Sequence, residues 1–519
     1  MNATWEALGL SEVVSVQNLA FGLLICLALF LVDLAVYRLH RSPIAEFPGP
    51  KLAALSRWYE FYYDVVLRGQ FSNHIAELHR IYGPIIRITP EELHINDPQF
   101  FDTLFNKNQR SVKSPWFNGR FNNHHSVFST CDADRHKIRR DMLNPFFSKR
   151  VVGQQEAIVQ EKILYACNRI SKSIEKDKSV DFSHMWDAFS SDVIMEYSFG
   201  FSYNNLKSKD FEGTFHDTFL ALSEFGALVC QFPILGTAME ALPERIVRFI
   251  NPKIDRVLTL CRDLSKEIDH AKVRLSQGKV PDRETVFYGM LRQDVPPEEL
   301  SSKRMRDEAQ TIVGAGLTTT AWSLTTACYY IIENPGIQEK LHQELIEAIP
   351  DIFAADAFDY SKLEKLSYLR GCVKEGIRLG IGVSGRMHRV TSAPLPYRGV
   401  VIPSGTIVSM NHQDILMNPA IFPCPTEMVP DRWLGHPRAF DGNSLERYFV
   451  PFGKGDRQCL GINLAQMEIF IGLAHVFRKF RLELDSTERS DVVMAHDFFL
   501  PSPKLDAKGV RIKVMETCK

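Results

Sequence analysis

The longest apolar run in the chain lies near its start. Leu19 to Tyr37, LAFGLLICLALFLVDLAVY, carries a single charge, Asp33. As a helix it would be ~28 Å long, about the thickness of a bilayer's hydrocarbon layer. Before it stand Glu6 and Glu12 with no Lys or Arg; after it come Arg38, His40, Arg41 and Lys51. Positive charge stays cytosolic, so the pattern predicts a retained anchor with its N-terminus in the lumen. A cleaved signal peptide would reverse the charge order and end in a small-residue site. The competing reading is a buried core helix at the start of the fold; Asp33 is an objection to the anchor, met if its side chain snorkels to the nearby interface. Asn2-Ala3-Thr4 forms a glycosylation sequon on the proposed lumenal side. EFPGPK, residues 46–51, cannot continue a helix and reads as a stiff connector.

Beyond the connector the periodicity changes. Residues 84–97, PIIRITPEELHIND, read as a short hairpin turning at Thr89-Pro90. From about 134 to 380, apolar positions recur at three and four residues, as in helices. Extended character returns over 389–410, helix resumes after Gly461, and 498–516 again reads as strands. The expected fold is mainly α with small β-sheets (α+β). The expected organisation is a lumenal 1–18, an anchor 19–37, a linker 38–51 and one large domain, 52–519. No internal repeat stands out.

Composition adds exclusions. The 519 residues carry a net charge of −1, so no overall field points to nucleic acid. Ten cysteines are dispersed without a CxxC pair, which fits a reducing compartment and buried small side chains rather than a zinc ribbon.

One cysteine departs from that background. In PFGKGDRQCLG, residues 451–461, Cys459 is flanked by Gly453, Gly455 and Gly461, with Arg457 two residues before it and a helix starting after it. Glycine lets a backbone approach a flat partner closely. A helix N-terminus and a cation both favour thiolate, so the sequence predicts a lowered thiol pKa. A nucleophile would need a base, and no His is near in sequence. An axial thiolate ligand to haem iron suits the loop better than either a nucleophile or a buried structural thiol.

Phe452, Gly453, Gly455, Arg457, Cys459 and Gly461 reproduce the signature Phe-Gly-x-Gly-x-Arg-x-Cys-x-Gly of the haem-thiolate family, and the chain resembles the cytochrome P-450 family from about residue 47 to 516. The resemblance implies that fold, haem b, and Cys459 as the iron's axial ligand. It implies a structural network of Glu375 and Arg378, an ExxR pair on one helix face, joined by Arg432 of VPDRW. In TIVGAGLTTTAWSL, 311–324, Ala315 lies against the haem and Thr319 takes the position whose hydroxyl helps protonate bound dioxygen. Thr318 stands where the family places an acid. That departure leaves the alcohol of the relay without its carboxylate; water chains or another acid would substitute, or the protein does other chemistry. His136 and Arg140, together with Arg457 and Arg389, match the partners of the haem propionates, with Arg386 as the substitute for Arg389. Arg135, Lys137 and Arg139 are then expected to face outward and to form, with Lys454, a basic docking patch.

Lipophilic-substrate lining is expected from Trp116, Phe117, Phe121 and Phe128, from the segment 219–235, and from Val313, Leu317, Val383, Phe498 and Phe499. The texture of FPGPKLAALSRWYEFYYDVV and NPFFSKR resembles fungal microsomal enzymes of the trichodiene-oxygenase type. That likeness implies an endoplasmic-reticulum monooxygenase of terpenoid or polyketide skeletons. Dioxygen would be the co-substrate, membrane lipid the surroundings, and NADPH the electron source through NADPH–cytochrome P-450 reductase, with cytochrome b5 as an optional partner. Two other readings stay open: a haem-thiolate isomerase, dehydratase or peroxygenase needing no reductase, motivated by Thr318, and a non-catalytic haem-binding membrane protein.

Overall fold

The structure is a computed structural model that describes residues 16–106, 112–174, 178–212, 216–250, 255–279 and 283–518. The Asn2 sequon and most of the proposed lumenal segment lie outside the described residues. The N-terminal apolar helix spans Val16–Val36 and continues as a π-turn, Tyr37–Arg41. Residues 18–41 are long and apolar enough to cross a membrane, and none of that stretch's most apolar window is buried against the rest of the chain. Asp33 is accounted for by an ion pair with Arg41 two turns on. The connector is held rather than free. Arg87 donates from its backbone to the Pro48 carbonyl and from Nη1 to the Arg38 carbonyl at 2.7 Å, and Arg38 Nη1 donates to the Leu55 carbonyl at 2.6 Å.

The centre of the molecule is a 32-residue helix, Ser302–Glu333, started by the Ser301 side chain accepting the Arg304 N–H. Helices Phe182–Phe199, Asp255–Ser276, Ser367–Leu379 and Ile462–Lys479 pack around it. Asp181 caps Phe182–Phe199, and Gly200, in the left-handed region, ends it. Burial of Trp186, Phe189, Leu324 and Leu473, all essentially inaccessible, ties these helices into one core.

The expected hairpin forms as β1 (Ile85–Arg87) and β2 (Glu92–Ile95), paired antiparallel. The extended region supplies β4 (Met387–Val390), β5 (Leu395–Tyr397), β6 (Val400–Ile402) and β7 (Ile407–Met410), with β3 (Val180–Asp181) before them in the chain. One sheet runs β1-β2-β7-β4, with β2 and β7 parallel. The tail gives β8 (Phe480–Leu484), β9 (His496–Phe498), β10 (Leu500–Ser502) and β11 (Arg511–Thr517). β11 joins β3 and β8, while β9 and β10 make a tight hairpin with Phe499 at its tip.

Strand alternation in β4 settles which arginine faces where. Arg386 and His388 share one side and meet the buried Glu92 at 3.2 Å each; Arg386 also pairs with Glu60. Met387 turns to the opposite side, into the cavity described below, and Arg389 shares its parity. Arg386 is therefore committed elsewhere and is no substitute for Arg389.

Candidate active site

The sequence loop around Cys459 closes one wall of a cavity with ≈ 1860 Å³ of space free of protein atoms, including the part open to solvent. Cys459 N–H donates to the Phe452 carbonyl at 2.8 Å, which folds the loop back on itself. Gly453 and Gly455 have φ of +66° and +74°. At Gly455 a side chain would also run into the Phe105 carbonyl, so glycine is required there by the protein itself. Gly461 is different. It has an ordinary φ of −83°, and a Cβ added to it would meet no protein atom within 4 Å. It lines the cavity, so what its missing side chain clears is the cavity floor.

The thiol's open surface faces this cavity, so the sulfur is accessible yet enclosed. Burial raises the Cys459 pKa, while the Gly461 N–H and the Arg140 guanidinium pull it down without prevailing. The expected lowering is therefore not a property of the polypeptide alone: desolvation outweighs the helix end and the cation. A thiolate here needs a directly bound cation, which is what a metal ligand has.

Opposite the thiol loop stands the central helix. Ala315, Thr318 and Thr319 all line the cavity. Thr319 Oγ1 donates to the Ala315 carbonyl at 2.7 Å, and Thr318 Oγ1 to the Gly314 carbonyl at 2.8 Å. The helix continues unbroken through both.

Along one edge the cavity collects cations. His136 and Arg140 share a face of helix Ala133–Leu143, whose Asp132 cap accepts the Arg135 N–H. Arg140 donates to the Gln458 carbonyl at 2.8 Å, and Arg457 to the Thr130 and Cys131 carbonyls at 2.5 and 2.9 Å. Arg389 is buried, with its guanidinium over the Phe105 ring and one bond to the His388 carbonyl. Two further residues of the cavity wall, Lys113 and His412, whose imidazole pKa burial lowers to about 4, were not legible in sequence. Lys113 donates to the Phe128 carbonyl at 2.6 Å and lies 3.8 Å above the Phe128 ring. His412 is buried at the cavity wall with neither ring nitrogen bonded. Burial and mutual repulsion push Arg389 down to about 9, Arg457 to about 10 and His136 to about 2, and hold Lys113 well below its ordinary value. No carboxylate ion-pairs with Lys113, Arg389 or Arg457 among the described residues. Such a cluster fits a dianionic group, and haem carries two propionates. The donor set, the cleared floor at Gly461 and the cations that no described carboxylate pairs with together fit haem.

Behind the loop, Glu375 and Arg378 form a fully buried bidentate pair at 2.8 and 2.9 Å. Trp433 Nε1 and the Val429 N–H each donate to Glu375 at 2.9 Å, and Arg432 approaches at 3.3 Å. Arg378 also reaches the Leu416, Pro425 and Glu427 carbonyls. This is the network expected of these three residues, and it lies outside the cavity wall.

Two expectations fail. Arg139 does not face outward: it is 5% exposed, pairs with Glu299 at 2.8 Å and donates to Thr130 Oγ1. Lys454 is bonded to Asp102 at 2.5 Å, and Lys137 to Asp141 at 2.7 Å. The surface groove beside Arg140 holds Asp134, Asp141 and Asp456 as well as Lys137, so it is of mixed charge rather than basic. The pocket list is corrected too. Phe121, Phe128, Val383 and Phe499 line the cavity, with Phe219, Leu222 and Ser223 from the 219–235 segment. Trp116, Phe117, Val313, Leu317 and Phe498 do not. Val313 and Leu317 are fully buried on the far side of the central helix, Phe498 is buried in its hairpin, and Trp116 lies under Arg57. Phe117 packs behind Phe499, 5.7 Å between rings.

Comparison with known proteins agrees with this geometry. A family model described as cytochrome P-450 matches residues 49–508. The cytochrome P-450 monooxygenase sdnE of Sordaria araneosa is 44% identical over 499 residues, covering 94% of this chain and 96% of the relative. The tryptophan 6-hydroxylase fscE of Fusarium equiseti is 40% identical, covering 93% and 94%. The N-acetyltryptophan 6-hydroxylase ivoC of Emericella nidulans is 38% identical, covering 95% and 97%. With a family match over most of its length and relatives this similar end to end, the chain belongs to the cytochrome P-450 family and is a haem-thiolate monooxygenase.

Proposed function

We propose that Cys459 ligates the haem iron, that His136, Arg140, Arg389 and Arg457, with Lys113, hold the propionates, and that the enzyme inserts one oxygen atom into a lipophilic substrate. The observation that carries this is the placement of Cys459 and Thr319 on the same cavity, with the cation cluster along its edge. When bound, the haem supplies dioxygen activation; its thiolate ligand favours O–O cleavage. The chain's own work is binding, orientation and proton control. Phe121, Phe128, Phe219 and Phe499 form an aromatic wall that excludes water and takes an apolar skeleton. Thr319 Oγ1, bonded through its own proton to Ala315, keeps its lone pairs for a donor in the cavity and passes a proton on when that bond turns.

The substrate class we favour is a terpenoid or polyketide intermediate of fungal secondary metabolism, hydroxylated or epoxidised. The aromatic wall also suits a planar ring, the class named for two of the relatives. A second haem-thiolate reading, isomerase, dehydratase or peroxygenase, is favoured by Thr318, whose hydroxyl is spent on the Gly314 carbonyl where the family's acid would stand. Purified protein with NADPH, its reductase and labelled dioxygen separates them. One labelled atom in product, strictly dependent on reductant, supports monooxygenation; full turnover without reductant contradicts it.

For the cell we propose an endoplasmic-reticulum anchor with a lumenal N-terminus, a linker over 38–51 and a cytosolic catalytic domain over 52–519. Exposed Trp58 and Ile234, with Phe232 packed on Trp58 and Phe61, extend an apolar surface beyond the anchor helix. The reductase, and cytochrome b5 where present, would dock on the mixed-charge groove beside Arg140. Salt should then slow reduction less than a basic patch would.

A further inference from the structure

The tip of the β9–β10 hairpin is strained in a way that packing alone does not explain. Phe498 and Leu500 are paired, so a single residue, Phe499, joins the two strands. Its φ is +73°, a left-handed conformation that a bulky side chain rarely adopts. Glycine would make this turn without strain. Instead an aromatic ring stands there and lines the cavity, 5.1 Å from the Phe121 ring and 5.6 Å from the Phe128 ring.

The turn is held by a buried carboxylate that no step described above uses. Asp497 is 9% exposed, and no cation ion-pairs with it among the described residues. Its Oδ1 accepts the Phe499 N–H at 2.8 Å and the Ser384 hydroxyl at 2.7 Å, and its Oδ2 accepts the Ser72 hydroxyl. The Phe499 carbonyl accepts the Ser384 N–H at 3.0 Å, so both backbone groups of the tip find partners outside the strand ladder. The segment that carries Ser384 is strained as well. Ile381 and Gly382 have φ of +62° and +78°, and Val383, next in the chain, lines the cavity. Gly385 lets the two segments close, since a Cβ there would stand 3.0 Å from the Phe499 ring. Two left-handed turns more than 110 residues apart are thus bonded to each other through Asp497. Strain persists only where the surrounding structure over-determines it, and it gathers where a side chain must be aimed.

We propose that Asp497 is a positioning residue for substrate selection: it locks the Phe499 turn to the Val383 segment and so fixes the shape of the cavity between the two. The ligand class this selects is a rigid apolar skeleton of several rings, large enough to touch both walls. A single small ring bound at the haem reaches neither. The proposal rests on the haem and apolar-substrate reading above. Asp497 touches neither substrate nor haem and acts through the Phe499 ring.

The test is azole binding to the haem-loaded full chain, read from the Soret shift, with two probes: imidazole and the triaryl azole clotrimazole. Asp497→Ala should weaken clotrimazole about tenfold and leave imidazole, haem content and the carbon-monoxide band unchanged. Phe499→Gly, which removes ring and strain together, should show the same loss, and the double variant no more than either. Asp497→Asn keeps an acceptor for the Phe499 N–H and should stay within about twofold of wild type. Wild-type clotrimazole affinity in Asp497→Ala overturns the proposal. So does equal weakening of both probes, which would mean a general distortion, or additive losses in the double variant. A loss in Asp497→Asn as large as in Asp497→Ala would show that charge, not the bond to the turn, matters, and overturns it too. If Asp497→Ala takes up no haem, Ser384→Ala decides: it removes one donor to the same carboxylate and should weaken clotrimazole alone, about threefold, and an unchanged ratio of the two affinities overturns the proposal. A wild type that binds imidazole but not clotrimazole contradicts the apolar cavity and the proposal with it. A wild type that takes up no haem overturns the haem reading itself.

Discussion

Arg457 lines the cavity and Arg389 is buried close enough to it to be made less basic by its charge; burial is the larger cause at both arginines, and Asp456 offsets it only in part. A buried like-charge pair costs stability unless an anion offsets it. The polypeptide thus carries a site whose charge is completed by its cofactor.

The first prediction follows from that imbalance. Arg389→Gln should weaken haem retention markedly while leaving the haem-free protein as stable as wild type or more so. Arg389 has its folded pKa, about 9, below the ordinary 12.5, so its charge opposes folding throughout the neutral range. Haem content after gel filtration, and melting of both haem-free proteins, check the two halves. A haem-free variant melting well below wild type would show that Arg389 is structural.

Glu375 presents the opposite case, a charge whose partners all belong to the protein. Glu375→Ala removes the acceptor of Arg378, Trp433 Nε1 and the Val429 N–H, and leaves the Arg378 charge buried. Urea unfolding should show a loss of about 3–5 kcal/mol, with poor haem incorporation as a consequence. A loss below about 1 kcal/mol would mean that the network does not hold the core.

Asp414 gives a pH signature. Its side chain is 10% exposed, and desolvation alone raises it to about 7. A carboxyl with a raised folded pKa binds a proton more tightly when folded. Its contribution to stability is present at low pH and is lost as pH rises from about 4 towards 7. Asp414→Asn should flatten that part of the stability profile and make the protein more stable than wild type at pH 7–8. Identical wild-type and variant slopes over that window would show that Asp414 ionises freely.

Much of this site was legible because its chemistry sits at short, fixed spacings: the Cys459 loop, the Glu375–Arg378 pair and the His136–Arg140 pair each lie within a single element. What spacing cannot show is the partner from elsewhere in the chain. Arg139 looked like a solvated cation until Glu299, 160 residues away, was placed beside it. Lys113 joins the cation edge and His412 the cavity wall from separate segments, with nothing in their own neighbourhoods to mark them. For Val313 and Leu317 helix geometry alone decides. Each lies two residues from Ala315, about 200° around the helix, and so faces away from the cavity. The pocket aromatics divide likewise by contact, Phe128 inside and Phe117 behind, which sequence does not resolve.

Thr319→Ala should leave haem content and substrate binding intact, lower product formation by ~10²-fold and divert electrons to hydrogen peroxide. Product and peroxide measured against NADPH consumed give the coupling directly. Unchanged coupling would remove Thr319 from proton delivery.

The central claim is that Cys459 is the thiolate ligand of haem iron in this cavity. Its most direct test is the carbon-monoxide difference spectrum of the dithionite-reduced protein, wild type beside Cys459→His. The account predicts a strongly red-shifted Soret band in the wild type and its loss in the variant. A wild type without haem, or one with the band of histidine-ligated haem, would contradict it.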